Sequence, residues 1–226
     1  MNYCVVELAA ALTLTGWVYL VIKSISYRYY RMAVRDLGDE GLARYSTRKV
    51  VHILGGGVPA ALTLVTFRDP LIPFVLSMLV ASYALVRRRF GPLSWFQEPN
   101  NVNEVTFSVM WGASLIISWV LNDGMLFGVL AALFLSIGDG VTGIVRSLVV
   151  GRGKSVEGTL AMMAVCSALG LLMAGAAGVV SGIVSSLVER IKAIDDNILI
   201  PLAAIAVLEA AKLMAPWSLM PLQYLV

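Results

Sequence analysis

The chain has 226 residues, of which 59% are hydrophobic and 14% are charged, with a mean hydropathy of +0.84 and a formal net charge of +3. A soluble domain typically has about 25% charged residues, so this composition excludes a soluble protein and indicates an integral membrane protein. Helices of about 20 residues span a bilayer, and six to eight of them would use nearly the whole chain. We therefore expect residues 1–226 to form one all-α domain, a polytopic transmembrane helix bundle.

Seven apolar segments follow one another along the chain. They lie near residues 3–22, 50–67, 70–87, 105–121, 124–144, 159–188 and 198–214. As one helix, the segment 159–188 would be about 45 Å long, well over the ~30 Å hydrocarbon core. Glycines 175, 178 and 182 in its middle favour a tight hairpin of two short helices, and one long tilted helix is the alternative.

The distribution of cationic residues decides between these two arrangements. They cluster at 23–49, which holds seven of the seventeen, and at 87–89, 146–154 and 190–192. A hairpin at 159–188 places all four clusters on one side, which the positive-inside rule makes cytoplasmic. The sequence thus predicts seven or eight helices, most simply eight with both termini outside, and a cytoplasmic basic loop at 24–49. Anionic lipid explains the positive charge, and nothing indicates nucleic-acid binding or an oligomeric state.

The most informative motif is IGDGVTGIV, which places Asp139 inside an apolar segment. An aspartate within a membrane helix costs roughly 2.5–3.5 kcal/mol on insertion scales and usually marks a functional site. Glycines 138, 140 and 143 leave its helix face bare, so backbone or ligand can approach closely. A structural alternative is an ion pair between Asp139 and Arg146, seven residues further on.

The loop GRGKSVEGT (151–159) follows directly and is cationic and rich in glycine. Such a loop offers donors and positive charge to an anion such as a phosphate. A metal-binding carboxylate beside a phosphate-binding loop at a membrane surface suggests phosphoryl or nucleotidyl transfer to a lipid. We therefore predict that 136–162 is a nucleotide- and metal-binding segment.

Polar residues from several helix ends meet on the predicted cytoplasmic side, as in a site built by a bundle. They are RKVVH at 48–52, Glu104, Asp139, the loop 154–157, and Asp195 to Asn197.

Each of these pieces also has a purely structural interpretation. Arg48 and Lys49 could anchor their helix at the membrane surface, and His52 could be a buried structural imidazole. Glu157 could stabilise the start of its helix, and the acids at 195–196 could cap theirs. One acid suffices for a cap, however, so the pair favours metal binding.

Four strings resemble the CTP-dependent polyprenol kinase family, which includes dolichol kinase and phytol kinase and is related to the phosphatidate cytidylyltransferases. They are RKVVHILGG at 48–56, IGDGVTGIV at 137–145, GRGKSVEGTLAM at 151–162 and DDNILIPL at 195–202. The resemblance covers about two thirds of the chain. Family members often carry alanine two residues after the aspartate-glycine pair, where Thr142 stands here, and the loop 146–152 is short.

The resemblance implies Mg²⁺-dependent transfer of the γ-phosphate of CTP, or of another nucleoside triphosphate, to the hydroxyl of a membrane isoprenoid alcohol. It implies Asp139 and Asp196 as Mg²⁺ ligands, with Glu157 as a third carboxylate. Oxygen ligands that leave room for water and phosphate suit this ion.

The remaining roles follow from the same resemblance and concern the nucleotide and the alcohol. Phosphate would be held by Lys154, by Gly151, Gly153, Ser155 and Asn197, and by the charges of Arg48 and Lys49. His52 would act as a base or would hydrogen-bond to the nucleotide.

Two other functions remain open at this stage. A CTP:lipid-phosphate cytidylyltransferase would use the same metal and nucleotide, but the lysine-arginine and proline-glycine-histidine signatures of that branch are not found. A small transporter with Asp139 at an ion site would require inverted repeats and paired broken helices, and here only 175–182 is broken.

Overall fold

The computed structural model describes residues 3–98, 101–149, 151 and 153–219, and within them the chain is helical without a β-strand. This confirms the all-α prediction. The helices are α1 (Tyr3–Leu20), α2 (Ser26–Leu37), α3 (Glu40–Val51), α4 (Val58–Thr66), α5 (Leu71–Phe90), α6 (Asn103–Val120), α7 (Leu126–Leu133), α8 (Asp139–Val149), α9 (Val156–Val188) and α10 (Asp196–Met214).

Three π-helical turns join consecutive helices into longer rods. Val21–Ile25 links α1 to α2, His52–Gly57 links α3 to α4, and Phe134–Gly138 links α7 to α8. Short π-helical insertions of this kind often occur at functional sites.

Six helical rods within the described residues are long and apolar enough to span a membrane, which makes this an integral membrane protein. They are Tyr3–Leu37, Glu40–Thr66, Leu71–Phe90, Leu126–Val149, Val156–Val188 and Asp196–Met214. The rod of α7 and α8 is the centre of the bundle, because 78% of its most apolar stretch is buried, against 22% for the rods of α1 and α5.

Helix α9 contains the predicted hairpin. Ala174 and Gly175 leave the helical conformation, and Gly175 has a φ of +58° that favours glycine. The arm at 156–173 packs against the arm at 176–188 so closely that a Cβ at Gly178 would lie 2.0 Å from the carbonyl oxygen of Gly170. Gly182 likewise meets the backbone of Cys166.

The two ends of α9 therefore lie together. Lys154, just before the helix, is 2.6 Å from the Glu189 carboxylate, just after it. The ends of a straight helix of 33 residues would be about 50 Å apart. The single-helix alternative is therefore excluded. Helix α6 is not among the six rods, and α9 contributes two arms instead of one, so the described residues contain the eight segments expected from the sequence.

The basic segment 24–49 is not a loop, contrary to the sequence-based prediction. It forms most of α2 and α3, which are joined by a tight turn at Gly38, whose φ is +67°. The Asp39 carboxylate begins α3 by accepting a hydrogen bond of 2.7 Å from the Leu42 amide. Charged side chains can occupy the outer face of a helix as easily as a loop, so charge clustering located the segment without revealing its conformation.

Candidate active site

Asp139 lies at the junction of the central π-helical turn and α8, with a side chain that is 1% exposed. The Lys49 ammonium, from the end of α3, donates a hydrogen bond of 2.5 Å to its Oδ2 atom. The Nδ1 atom of His52 is 3.3 Å from the same oxygen. The other oxygen, Oδ1, is buried and has no hydrogen-bond partner among the described residues. Asp139 is therefore paired, with one acceptor left free.

Glycines explain how these groups come so close together. The aliphatic part of Lys49 crosses the bare face of α8 at Gly143, where a Cβ would lie 2.5 Å from the lysine Cγ and Cε atoms. Two π-helical turns also pack against each other, because a Cβ at Gly56 would lie 2.6 Å from the Ser136 hydroxyl. The bare face predicted around Asp139 thus receives protein side chains, Lys49 at Gly143 and Ile53 at Gly140.

A second group of charges lies beside the first and is centred on Glu189. This side chain is 0% exposed, and Arg146 donates two hydrogen bonds of 2.8 Å to its two oxygens. The Lys154 ammonium donates a hydrogen bond of 2.6 Å to the Glu189 carboxylate and another to the Glu189 carbonyl oxygen. It also lies 3.1 Å from the Asp196 carboxylate. Burial raises the pKa of the Glu189 carboxyl, but the hydrogen bonds from Arg146 and Lys154 outweigh it and hold that pKa below its ordinary value.

These contacts give Arg146 a different partner from the one in the structural alternative. It pairs with Glu189 rather than with Asp139. Its side chain passes over Gly158 of the VEGT string, where a Cβ would lie 2.7 Å from the Nε atom. A residue with a side chain at position 158 would clash with Arg146, which explains why the VEGT string has glycine there.

Asp139, Glu189 and Asp196 form a group of three carboxylates. Each offers an oxygen that lies within 4.8 Å of the others. Sequence reasoning proposed Asp139 and Asp196 but missed Glu189, which directly precedes the cationic cluster at 190–192. The hairpin itself is the signal, because it brings residue 189 beside residue 154.

Glu157 is not part of this group, contrary to the sequence-based assignment. It is exposed in the first turn of α9. A carboxylate there stabilises the helix start through the helix dipole, as the structural interpretation proposed.

The acids before α10 divide their roles. Asp195 caps the helix by accepting a hydrogen bond of 3.0 Å from the Asn197 amide, and it accepts another of 2.7 Å from the Thr106 hydroxyl. Asp196 is left for the carboxylate group, as expected from the argument that one acid suffices for a cap.

A polar cavity of about 110 Å³ opens beside the carboxylates. Its lining includes six of the residues singled out from the sequence, together with Tyr45, Asn103 and Arg146. Those six are Arg48, Lys49, His52, Lys154, Asp196 and Asn197.

Asp139 and Glu157 are not part of this lining, and neither are three residues that were predicted to bind phosphate. The Ser155 hydroxyl caps α9 by accepting a hydrogen bond of 3.1 Å from the Gly158 amide. The Gly151 amide donates to the Arg146 carbonyl at 2.7 Å, and Gly153 is exposed. Arg152 lies outside the described residues. The glycines and Ser155 therefore shape the turn between α8 and α9, and Lys154 is the residue of this turn that faces the cavity.

The donor set fits a hard divalent cation. Carboxylate oxygens are the ligands that Mg²⁺ takes in proteins, and a free, buried oxygen of Asp139 is available. Lys49, Arg146 and Lys154 balance the three carboxylates in this arrangement. The buried Arg48 adds a further positive charge, whose Nη1 atom lies 4.0 Å from the Glu98 carboxylate and whose Nε atom has no hydrogen-bond partner among the described residues. The cavity lining, which contains Arg48, Lys49, Arg146 and Lys154, suits an anionic ligand.

Comparison with known proteins adds no relationship: no family model, no curated protein and no solved structure matches this chain.

Proposed function

We propose that this protein is a lipid kinase that transfers the γ-phosphate of CTP, or of another nucleoside triphosphate, to the hydroxyl of a membrane isoprenoid alcohol such as dolichol, phytol or geranylgeraniol. The reaction takes place at the cytoplasmic face, where the positive-inside rule places the basic helices α2 and α3. The resemblance of the four sequence motifs to polyprenol kinases motivates the choice of reaction.

One observation carries the proposal: three carboxylates meet within 4.8 Å beside the buried cations Lys49 and Arg146 in a bundle of membrane-spanning helices. Phosphoryl transfer is catalysed mainly by positioning and by neutralising the charge of the transferred group, and this arrangement supplies both. Asp139, Glu189 and Asp196 would hold Mg²⁺, which would neutralise charge on the phosphates.

The cations have a corresponding role towards the nucleotide. A triphosphate entering the cavity would draw the Lys154 ammonium away from Glu189 and Asp196. This would free Asp196 for the ion, while Glu189 would keep its two hydrogen bonds from Arg146. Arg48 lines the same cavity, and its buried Nε atom has no hydrogen-bond partner among the described residues, so its guanidinium can also bind the phosphates. A cavity of about 110 Å³ is smaller than the roughly 300 Å³ of typical ligand pockets, so it accepts phosphates while the base and ribose lie outside.

In the reaction, the oxygen of the alcohol forms a bond to the γ-phosphorus and the bond to the β-phosphate oxygen breaks. The nucleoside diphosphate leaves, and the hydroxyl proton must be removed. His52 is suited to take this proton, because its ring nitrogens have no hydrogen-bond partner among the described residues other than the 3.3 Å approach to Asp139. Its ring is held by stacking on Phe107, with centroids 3.9 Å apart.

The position of a radioactive label tests the proposal against the cytidylyltransferase alternative. Purified protein is incubated with a panel of isoprenoid alcohols, Mg²⁺, and CTP labelled at either the γ- or the α-phosphate. We expect label in the lipid from γ-labelled CTP alone. Label from α-labelled CTP with a lipid phosphate as acceptor would instead establish nucleotidyl transfer.

Variants link the product to the site. Asp139→Asn and Glu189→Gln should abolish lipid labelling, whereas Glu157→Gln, a change at an exposed carboxylate, should preserve it. Activity that survives Asp139→Asn would refute the assignment of the site.

A further inference from the structure

A second cavity, apolar and larger than the first, lies within the bilayer part of the bundle. It has a volume of about 240 Å³ and is lined by residues of α1, the turn after α3, α4, α5 and α6. Tyr19 and Leu79 line it and are also 62% and 60% exposed. The cavity therefore opens between α1 and α5, the two rods whose surfaces are mostly unburied and face lipid.

The shape of this cavity suits a chain rather than a compact group. Its lining on α1 and the π-helical turn that follows extends from Leu14 to Ile22, and its lining on α5 extends from Pro73 to Tyr83. At 1.5 Å per residue, these stretches are about 12–15 Å long, roughly half of the hydrocarbon core.

A small cavity of about 50 Å³ lies between the apolar cavity and the candidate active site and shares lining residues with both; we refer to it as the connecting cavity. It shares Gly55, Phe107 and Ser108 with the apolar cavity. It shares Arg48 and His52 with the polar cavity. The three spaces therefore follow one another from the lipid-facing side of the bundle to the carboxylates.

Glu104 lines the connecting cavity and has an unusual environment. Its side chain is 7% exposed, and its Oε1 atom accepts hydrogen bonds of 3.1 Å from Arg88 and 2.9 Å from Gln97. Its Oε2 atom is buried without a partner among the described residues. A buried carboxylate oxygen without a donor is costly, and a ligand hydroxyl would satisfy it. A phosphate headgroup would instead bring negative charge next to the carboxylate.

We propose that the apolar cavity binds the hydrocarbon chain of a single-chain lipid alcohol, whose hydroxyl reaches the connecting cavity and donates a hydrogen bond to Glu104. This inference rests on the proposed function in one respect only, namely that the bound alcohol is the phosphate acceptor. It identifies the route by which the acceptor meets His52, and it assigns to Glu104 a role in binding the hydroxyl.

The test is photo-crosslinking, which requires neither nucleotide nor phosphoryl transfer. The probe is a C20 isoprenoid alcohol with a diazirine at the end of its chain, added to the purified full-length protein without nucleotide, and the labelled residues are mapped by mass spectrometry. We expect label on the cavity lining far from Glu104, at residues such as Leu14, Thr63 and Leu76. Labels spread over lipid-exposed faces, with none in the cavity, would overturn the proposal.

Gly55 permits a matched pair of variants. A Cβ there would have its nearest neighbours at 3.7 Å, an ordinary van der Waals distance, so Gly55→Leu causes no clash at Cβ. The rest of the leucine side chain would fill space between the two cavities that Gly55 lines. Gly16→Leu adds the same side chain on the exposed face of α1, where nothing lies within 4 Å. We expect Gly55→Leu to reduce cavity labelling at least tenfold and Gly16→Leu to leave it unchanged. Equal labelling in the two variants would contradict the proposal.

Competition tests the headgroup, again on the wild-type protein. Unlabelled alcohol should suppress labelling several-fold better than its methyl ether or its phosphate ester, since neither donates a hydroxyl proton to Glu104 in the same way. Equal competition by all three would refute the role of Glu104. Cavity labelling without γ-phosphate transfer would refute the proposed kinase alone, and transfer without cavity labelling would refute this inference alone.

Discussion

The ion pair between Arg146 and Glu189 allows a quantitative test of the way the helix ends are joined. The two side chains are 4% and 0% exposed, and they form two hydrogen bonds of 2.8 Å. Glu189→Gln conserves the volume of the side chain but removes its charge. Arg146 and the Lys154 ammonium then lose their common partner at a buried position.

Breaking a buried pair by removing one partner costs about 3–5 kcal/mol, because the remaining charge is left uncompensated. For a chain of 150–250 residues, 1 kcal/mol corresponds to about 2–4 °C in Tm, so we expect Glu189→Gln to lower Tm by about 6–20 °C. The measurement is the fraction of monodisperse protein that remains after heating in detergent, followed by size-exclusion chromatography.

Two controls determine the interpretation of this experiment. Glu157→Gln changes an exposed carboxylate only a few residues from Lys154 in the chain, and it should alter stability by less than about 0.5 kcal/mol. The double variant Arg146→Gln with Glu189→Gln should lose less than the sum of the single variants, with a coupling of about 0.5–3 kcal/mol. A Tm for Glu189→Gln equal to that of Glu157→Gln, or strict additivity in the double variant, would refute the argument that this pair holds the hairpin ends together.

Three further predictions concern other parts of the molecule. Gly143→Ala should destabilise the protein by about 1–3 kcal/mol in the same heating assay, because the added Cβ displaces Lys49 from Asp139. Gly153→Ala, at an open and exposed position, should leave the stability unchanged. Equal Tm values for the two variants would contradict the close crossing of Lys49 over Gly143. Mg²⁺ at 100 times its Kd should stabilise the wild type against unfolding by about 2.7 kcal/mol. An equal stabilisation of Asp196→Asn by Mg²⁺ would refute the assignment of Asp196 as a metal ligand. In a background with the exposed Cys4 changed to serine, single cysteines at Gly153 and Lys192 should react with an impermeant thiol reagent from the same side of the membrane, and labelling from opposite sides would exclude the hairpin.

The sequence predicted the helical class, the hairpin and the gathering of charge at one end because these follow from composition and from the length of a membrane span. It also identified Asp139, Asp196 and the cations around them, since charges in apolar surroundings are few. The conformation of 24–49 was beyond this kind of reasoning, because charge density does not distinguish a solvated helix from a loop. Helices α2 and α3 depend on a cap at Asp39 and a left-handed turn at Gly38.

The pairing of the charged side chains was less accessible. Seven residues separate Asp139 from Arg146 on one helix face, which favours contact between them, yet Lys49 and Glu189 from other helices are the actual partners. Glu157 and Glu189 illustrate the same limit, because the burial of each depends on how the two arms of α9 pack. Packing between distant segments decides which carboxylate enters the site and which stays at the surface.

The π-helical turn at His52–Gly57 also has a consequence for insertions and deletions. Such a turn contains one residue more than the same length of α-helix, and each residue of an α-helix advances the rotation about the axis by about 100°. Removing one residue between Ile53 and Gly57 would restore a regular helix with unchanged hydropathy and nearly unchanged length. The wide turn absorbs this residue, so α3 keeps nearly the rotation relative to α4 that the shorter regular helix would have. A regular α-helix that kept all six residues of the turn would instead rotate Lys49 by about 100° away from Asp139. The direction in which Lys49 points thus depends on the π-helical turn that accommodates the surplus residue, which no hydropathy profile would detect.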